Sequence, residues 1–328
     1  SFAEDADGEL LALDHSGRIS RVVAQSNHAS TFPRTVAETG CFTDDDATHP
    51  AAGVIPYEVN APLWSDGTDK GRYIYLPQGA RIQFSESGAW TFPDGTILIK
   101  NFLKPFQSEL IETRFLVKKN GTFKGYSYIW NGGNSVLLNG AFAKEYVFRT
   151  PNGLSETVNY SYPSSAQCAR CHNSSLTNGA LGLTTEQINR ENAEGDNQLS
   201  EWSRLGLFAT SLPSDPDLMP RLIDYHDSAQ PLALRTRTYL HIQCANCHNP
   251  SNATMQSRID MRRDAADSAM GVVNVRAQHG TLGLANPLLV APGSPQQSIL
   301  FMRMDTLDET VRMPPIATSR RHEVGLDL

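Results

Sequence analysis

The sequence reads CARCH at residues 168–172 and CANCH at residues 244–248. Both stretches follow the pattern Cys-x-x-Cys-His, and 72 residues lie between the two cysteine pairs. In a chain of 328 residues with five cysteines and nine histidines, chance alone gives roughly 0.002 copies of this pattern. Two copies therefore indicate that the chain needs these residue types at this spacing.

The pattern fits the covalent attachment of haem. Two thiols with two residues between them lie about one helical turn apart, so they can reach both vinyl groups on one edge of a porphyrin. The following histidine then lies beneath the iron and offers it an imidazole nitrogen. The sequence therefore predicts two covalently bound haem c groups, each with its iron, held by Cys168, Cys171, His172, Cys244, Cys247 and His248.

Other uses of paired cysteines fit less well. A structural zinc site could take both pairs, but such pairs usually stand ~15–20 residues apart, against 72 here. A thioredoxin-like redox pair needs neither a second copy nor a trailing histidine, and a disulfide across each pair would be strained. The fifth cysteine, Cys41, is expected to be a buried or free thiol without chemistry.

The sixth ligand of each iron decides between electron transfer and catalysis, because a methionine or histidine there closes the site and an open position leaves it reactive. Met313 precedes two prolines, which hold it on a stiff extended loop, and it is the predicted distal ligand of the second haem. For the first haem, Met219, which precedes Pro220, is the predicted ligand. His226, His241 and an open position are the alternatives.

Residues 244–328 resemble a class I cytochrome c through CANCH followed by Met313-Pro314-Pro315. The resemblance implies a helical haem domain in which His248 and Met313 are the axial ligands. One departure concerns residues 321–328, which resemble only the start of the helix that closes such a domain. We therefore expect the closing helix to be cut short here.

Two further resemblances lie nearer the N-terminus. Residues 2–19 are similar to the last blade of soluble PQQ-dependent glucose/sorbosone-type dehydrogenases. Residues 33–67 resemble an uncharacterised bacterial β-rich family that is often joined to such propellers and to cytochromes, and that offers no mechanism to carry over. Together they imply the cytochrome part of a larger quinoprotein-type polypeptide, in which only a missing N-terminal propeller would bind PQQ.

Turn signals and apolar patterns divide the chain into four predicted segments. They are a β-hairpin segment that matches the propeller resemblance (1–40), a β-rich domain (41–163), a first haem c domain (164–231) and a second, class I-like haem c domain (232–328). In the β-rich domain, short strands alternate with turn signals such as Asn120-Gly121, which is typical of a sandwich. The predicted fold class is α+β multidomain, an N-terminal antiparallel, sandwich-like β-rich region followed by mainly α-helical c-type cytochrome domains.

The composition excludes two classes of partner. The chain carries 28 Lys and Arg against 35 Asp and Glu, a net charge of −7 at pH 7, without the basic face that nucleic-acid binding needs. No run of about 18 apolar residues predicts a membrane-spanning helix, and no positive-then-apolar leader opens the sequence. In bacteria, haem is attached covalently outside the cytoplasmic membrane, so the expected location is the periplasm or the outer cell surface.

Together these features predict a di-haem c-type cytochrome that mediates electron transfer outside the cytoplasm, by itself or as the electron-accepting part of a quinoprotein dehydrogenase. Its partners would be an electron donor and an electron acceptor, such as a basic cytochrome or a quinoprotein domain. One alternative is a di-haem peroxidase-type enzyme with one five-coordinate haem. Another is a subunit that self-associates into an extracellular cytochrome filament, and a third is a carbohydrate-binding β module with accessory haems.

Overall fold

The computed structural model describes residues 2–5, 10–13, 18–21, 32–172, 176–252, 258–278 and 280–328. These residues form two compact units, one up to Pro33 and the other from Arg34 onward. The smaller unit is a three-stranded antiparallel sheet of β1 (Phe2–Glu4), β2 (Leu10–Leu13) and β3 (Ile19–Arg21), paired in that order. β2 and β3 pair as the β-hairpin predicted within residues 1–40, and residues 14–17 between them lie outside the described residues.

The larger unit is built on a six-stranded antiparallel meander in which each strand pairs with the next along the chain. Its strands are β4 (Val54–Pro56), β5 (Asp69–Tyr75), β6 (Ile97–Leu103), β7 (Leu110–Lys119), β8 (Thr122–Asn131) and β9 (Asn134–Leu137). Asn120 and Gly121 join β7 to β8 with φ values of 53° and 78°, the left-handed backbone that a two-residue type I′ turn requires. The Asn-Gly signal thus predicted this hairpin, in which Lys119 lies opposite Thr122.

A second hairpin covers one end of the sheet. It consists of β10 (Phe142–Arg149) and β11 (Ser155–Tyr162), which pair along their whole length. Its inward side chains pack with the sheet in one buried cluster of Phe102, Ile111, Ile129, Tyr146, Phe148, Val158, Tyr160 and Tyr162. Trp90, Tyr128 and Trp130 are buried as well, so many strand aromatics serve the core, which weakens the carbohydrate-binding alternative.

Short helices and long loops make up most of the described chain after the second hairpin. The helices are α1 (Ser165–His172), α2 (Thr185–Ile188), α3 (Gln198–Arg204), α4 (Leu232–Gln243), α5 (Ile299–Asp305) and α6 (Glu323–Asp327). Single 3-10 turns span Ala37–Thr39, Pro216–Leu218 and Pro295–Gln297. α4 is the longest helix at 12 residues, and no helix in the described part of the chain is long and apolar enough to cross a membrane.

The predicted fold class is wrong for the second half of the chain. Strands hold 27% of the residues and helices 18%, and the described residues form three sheets, so mainly α-helical cytochrome domains are not what the chain forms. Much of this half instead forms loops, and proline-rich stretches such as 213–220 and 284–298 cannot continue as long helices. The boundaries predicted after residues 163 and 231 fall inside the larger compact unit.

The segment after the second hairpin shares its core with the sheet. The main core cluster joins Ile74, Leu98 and Phe123 of the sheet to Ala180, Leu183, Ile188, Leu199, Trp202, Phe208 and Met219. Each large apolar side chain that is fully buried stabilises the fold by about 1.5–3 kcal/mol. The segment that carries the first motif is therefore packed on β structure, which keeps its helices short and fixes their positions.

Candidate functional site

The first motif lies on α1, which packs against β8. The two backbones approach closely because Gly125 of β8 has no side chain. A methyl group at Gly125 would lie 2.6 Å from Cβ and 2.7 Å from Sγ of Cys168, closer than non-bonded atoms pack. Cys168 is buried as a result, whereas Cys171 and His172 are partly exposed.

Gly179 fixes which ring nitrogen of His172 carries the proton. Its carbonyl oxygen lies 2.6 Å from Nδ1 of His172, and since a carbonyl only accepts, Nδ1–H donates. Nε2 then keeps its lone pair, which is the tautomer that binds a metal through Nε2. Burial lowers the pKa of His172 to about 4, so the imidazole is neutral at neutral pH.

The second motif starts where α4 ends. The backbone NH groups of Cys247 and His248 donate to the carbonyl of Cys244 at 3.1 and 2.9 Å, which winds the motif into one turn. The side-chain amide of Asn249 donates to the carbonyl of Ala245 at 2.8 Å and holds this turn. Burial lowers the pKa of His248, so this imidazole is also neutral at neutral pH.

The two motifs meet in the folded chain. The side chains of Cys171 and Cys247 are close enough to interact, and their mutual effect raises the pKa of Cys171 and lowers that of Cys247 to about 7. The side-chain amide of Asn246 donates to the carbonyl of Cys171 at 3.0 Å. Two cysteine pairs with 72 residues between them thus form one site, and the second cysteine of each motif lies at the contact.

The four motif cysteines do not surround a common point. Within the described ranges, only Asp44, Asp46 and His49 bring three metal-ligating side chains within reach of one ion. A structural zinc ion is held by four ligands at once. The arrangement of the cysteines therefore disfavours the zinc alternative.

Met313 lies near the start of the second motif. It lines a small cavity together with Tyr239, Gln243 and His322, and Gln243 is the last residue of α4, directly before Cys244. The predicted distal ligand and the second motif are therefore at the same end of α4. Sequence reasoning missed His322, whose Nδ1 lies 3.1 Å from the hydroxyl of Tyr239.

A larger cavity of about 810 Å³ lies between α4, α5 and α6, a volume typical of small-molecule and cofactor sites. Aliphatic side chains form much of its wall, and Leu240 in that wall lies one helical turn before Cys244. Tyr239 and Met304 border both this cavity and the small cavity at Met313. Two thiols, a neutral imidazole, a thioether and neighbouring apolar space together fit a covalently bound haem.

Asp66 anchors the loop that carries Met313. Its carboxylate accepts hydrogen bonds from the backbone NH and the hydroxyl of Ser319, each at 2.8 Å, and from the backbone NH of Arg320 at 3.0 Å. Asp66 is completely buried, and burial raises its pKa although these bonds oppose that effect. Glu156 holds the same loop through an ion pair with Arg320.

Replacing Asp66 with alanine is expected to release this loop. Three partly buried donors lose their acceptor, and each unsatisfied group costs about 1–3 kcal/mol. The free energy of unfolding, measured by urea titration, should therefore fall by roughly 3 kcal/mol or more. Asp217→Ala, a change at an exposed aspartate, is the control and should shift it by less than about 0.5 kcal/mol. Equal stabilities of the two variants would show that other contacts hold the loop.

The three residues considered as the distal ligand of the first haem differ in how far their side chains are already engaged. Both ring nitrogens of His241 are engaged, because Nε2 donates to Glu186 at 3.1 Å and Nδ1 accepts from a backbone NH at 3.3 Å. Met219 is buried in the main core, and its role as a ligand stays a prediction. His226 directs Nδ1 to the carboxylate of Asp224 at 2.9 Å, which leaves Nε2 for a ligand.

Glu186 links α2 to α4 by accepting a hydrogen bond from His241 at 3.1 Å, and it forms an ion pair with Arg263 at 2.8 Å. Burial raises its pKa, but the bonds from His241 and Arg263 outweigh burial and leave the pKa below the ordinary value of 4.5. A carboxyl group whose pKa is lowered by folding stabilises the folded state above its unfolded pKa and loses that effect at lower pH.

The stability advantage of the natural chain over Glu186→Gln should therefore be about 1–2 kcal/mol at pH 7. This advantage should begin to shrink when the pH falls below 4.5, the ordinary pKa of a glutamate. It should be lost once the pH has passed below the lower pKa that Glu186 has in the folded chain. Urea titrations at several pH values measure it, with Glu194→Gln at an exposed site as the control. A stability advantage that stays constant down to about pH 3 would contradict the bonds of Glu186 with His241 and Arg263.

A row of cationic side chains crosses one face of the meander, and sequence reasoning missed it. Arg72 of β5, Lys100 of β6 and Arg114 of β7 lie directly opposite one another in the strand register. Lys70 lies two residues from Arg72 and so on the same face. Strand alternation at these positions was the available signal, but the sequence does not show which face becomes covered. We call Lys70, Arg72, Lys100 and Arg114 the cationic row.

No family model, no curated protein and no solved structure matches this chain. Its function therefore has to be proposed from the two motifs and from the geometry around them.

Proposed function

We propose that this chain is a di-haem c-type cytochrome that transfers electrons outside the cytoplasm. The observation that carries the proposal is the contact between the two motifs, where the side-chain amide of Asn246 donates to the carbonyl of Cys171 at 3.0 Å and the side chains of Cys171 and Cys247 interact. It places the two attachment points next to each other, although 72 residues lie between the two cysteine pairs. Adjacent attachment points suit a protein that passes electrons from one cofactor to the next. In such a protein the role of the fold is to hold the two cofactors close to each other.

The residues of the chain have separate tasks in this proposal. Thioether bonds would form at Cys168, Cys171, Cys244 and Cys247, and the iron atoms would be bound by His172 and His248. Bound haem supplies a one-electron couple between Fe(III) and Fe(II). Gly179 orients the ring of His172, and Asp66 positions the loop of Met313. Met313, as a thioether ligand, would raise the potential of the second iron.

Redox proteins of the same compartment are the partners that fit this role. The net charge of −7 favours association with a basic cytochrome, because opposite surface charges speed encounter. A quinoprotein domain is the electron donor that the N-terminal resemblance implies, with its PQQ in a propeller outside this sequence. Covalent haem attachment places the protein in the periplasm or on the outer cell surface.

Low-temperature EPR and absorption spectra of the purified, haem-loaded protein test the proposal. Two low-spin, six-coordinate irons are expected, since a carrier has both axial positions filled at each haem. A high-spin iron that turns over peroxide would instead support the peroxidase-type alternative. If all four motif thiols react with an alkylating reagent, both the electron carrier and the peroxidase-type enzyme are excluded. Thioether sulfur is not alkylated under the same conditions, so free thiols would mean that no haem is attached.

A further inference from the structure

We infer that the cationic row is a binding site for carboxylate groups beside the first motif. Arg72, Lys100 and Arg114 face one another across three neighbouring strands. Like charges directly opposite in a sheet destabilise it. A fold that keeps such a row gains from it only if an anion joins the cations. The inference deepens the proposed function, and it rests on that function where the bound carboxylate is a haem propionate.

The row has too few anions of its own. Arg114 forms a bidentate ion pair with the completely buried Glu112, at 2.7 Å for both bonds. Neither Arg72 nor Lys100 forms an ion pair with any residue that the structure describes. Lys70 donates to the backbone carbonyl of Thr68 at 2.9 Å. A cation that is partly removed from water without a counter-charge is destabilising, because it loses hydration.

The side chains of the row are partly shielded from solvent. Burial is the main cause that lowers the pKa of Lys70 to about 7 and the pKa of Lys100 well below its usual range. Both side chains and Arg72 nevertheless keep part of their surface accessible. A ligand in solution can therefore reach these side chains.

The first motif stands at one end of this row. Ser127 of β8 lies opposite Arg114 and thus continues the row, and Gly125, two residues away on the same face, is covered by Cys168. The charges of Lys100 and Arg114 also act on the ring of His172. The row therefore extends along the sheet from the place where the first haem would be attached.

Carboxylates are the anions that this row fits. A guanidinium binds a carboxylate with two parallel hydrogen bonds, and an ammonium group adds a point charge. Neighbouring strands lie about 4.8 Å apart, so Arg72 and Lys100, which lie opposite each other, can hold one carboxylate between them. The two propionates of the haem at the first motif are one source, and a free carboxylate ligand is the other.

Charge-neutral variants test the inference in the haem-loaded protein. Arg72→Gln and Lys100→Gln keep the side-chain stems, and Lys124→Gln, at an exposed lysine of β8 on the opposite face, is the matched control. Each variant is assayed by redox titration with EPR detection, which resolves the two irons, and by calorimetric titration with citrate. Thermal melts confirm folding, and removal of an unpaired buried cation should not lower stability.

If propionates occupy the row, Arg72→Gln and Lys100→Gln should shift the equilibrium of the first haem toward the oxidised form by at least tenfold, or 59 mV for one electron. The second haem and the control should not change. If a free carboxylate is the ligand, citrate should bind the natural protein and bind both variants at least tenfold more weakly. Neither a shift nor citrate binding would overturn the inference. If no haem is attached to the protein, the proposed function fails. The citrate titration alone then decides whether the cationic row binds carboxylates.

Discussion

Replacing Met313 with alanine is expected to lower the reduction potential of the second haem and to convert that haem to the high-spin state. A thioether ligand favours ferrous iron, and axial ligands set haem potentials over a range of about 0.8 V. A fall on the order of 0.1–0.2 V is therefore expected at the second haem. The first haem should keep its potential, because Met313 lies at the end of α4 where the second motif begins.

Two further variants make this prediction specific. Met302→Ala removes a methionine of α5 that does not line the cavity at Met313, and it should leave both potentials unchanged. Met313→His should restore a low-spin iron while keeping the potential low, because imidazole replaces the thioether. Redox titration with EPR detection measures all three variants. A second haem with unchanged spin state and potential in Met313→Ala would refute Met313 as its ligand.

Replacing Gly179 with alanine is expected to displace His172 and to disturb the first haem alone. The added methyl group would overlap the carbonyl oxygen of His172 and lie 2.9 Å from the ring of Phe123. The backbone of Gly179 also has a φ of 80°, which costs any other residue about 1 kcal/mol. The free energy of unfolding should fall by roughly 3 kcal/mol or more, since strain and overlap add.

Gly153→Ala is the matched control for this variant. Gly153 has nearly the same φ, 81°, but a methyl group there would meet no atom within 4 Å. It should therefore cost only about 1 kcal/mol and leave both haem spectra intact. Urea titration and the absorption spectrum of the reduced protein measure the two effects. Equal losses in the two variants would show that backbone strain, and not the contact with His172, determines the result.

Local sequence patterns predicted local structure well. The Asn120-Gly121 pair gave the hairpin of β7 and β8, because the turn requires two residues with positive φ and the sequence supplies them. The two Cys-x-x-Cys-His motifs could also be recognised from the sequence, because each is complete within five consecutive residues. The prediction of mainly helical domains around them was wrong, because much of the chain after the second hairpin forms loops and part of it packs on the sheet.

The arrangement of the site depends on contacts that no local pattern contains. Asp66 reaches Ser319 across 253 positions of the chain, and Cys171 meets Cys247 only because the whole unit folds. The cationic row required the register of three strands, and charged residues in strands ordinarily face water. Alternation indicates which residues share a face, but not which face another segment will cover.

Intact mass measurement of the denatured protein, produced in cells that attach haem, tests the central claim most directly. We predict the mass of the chain plus two haems, together with a red colour that stays with the protein during acid-acetone extraction. The mass of the bare chain, or colour that passes entirely into the acetone, would contradict the account.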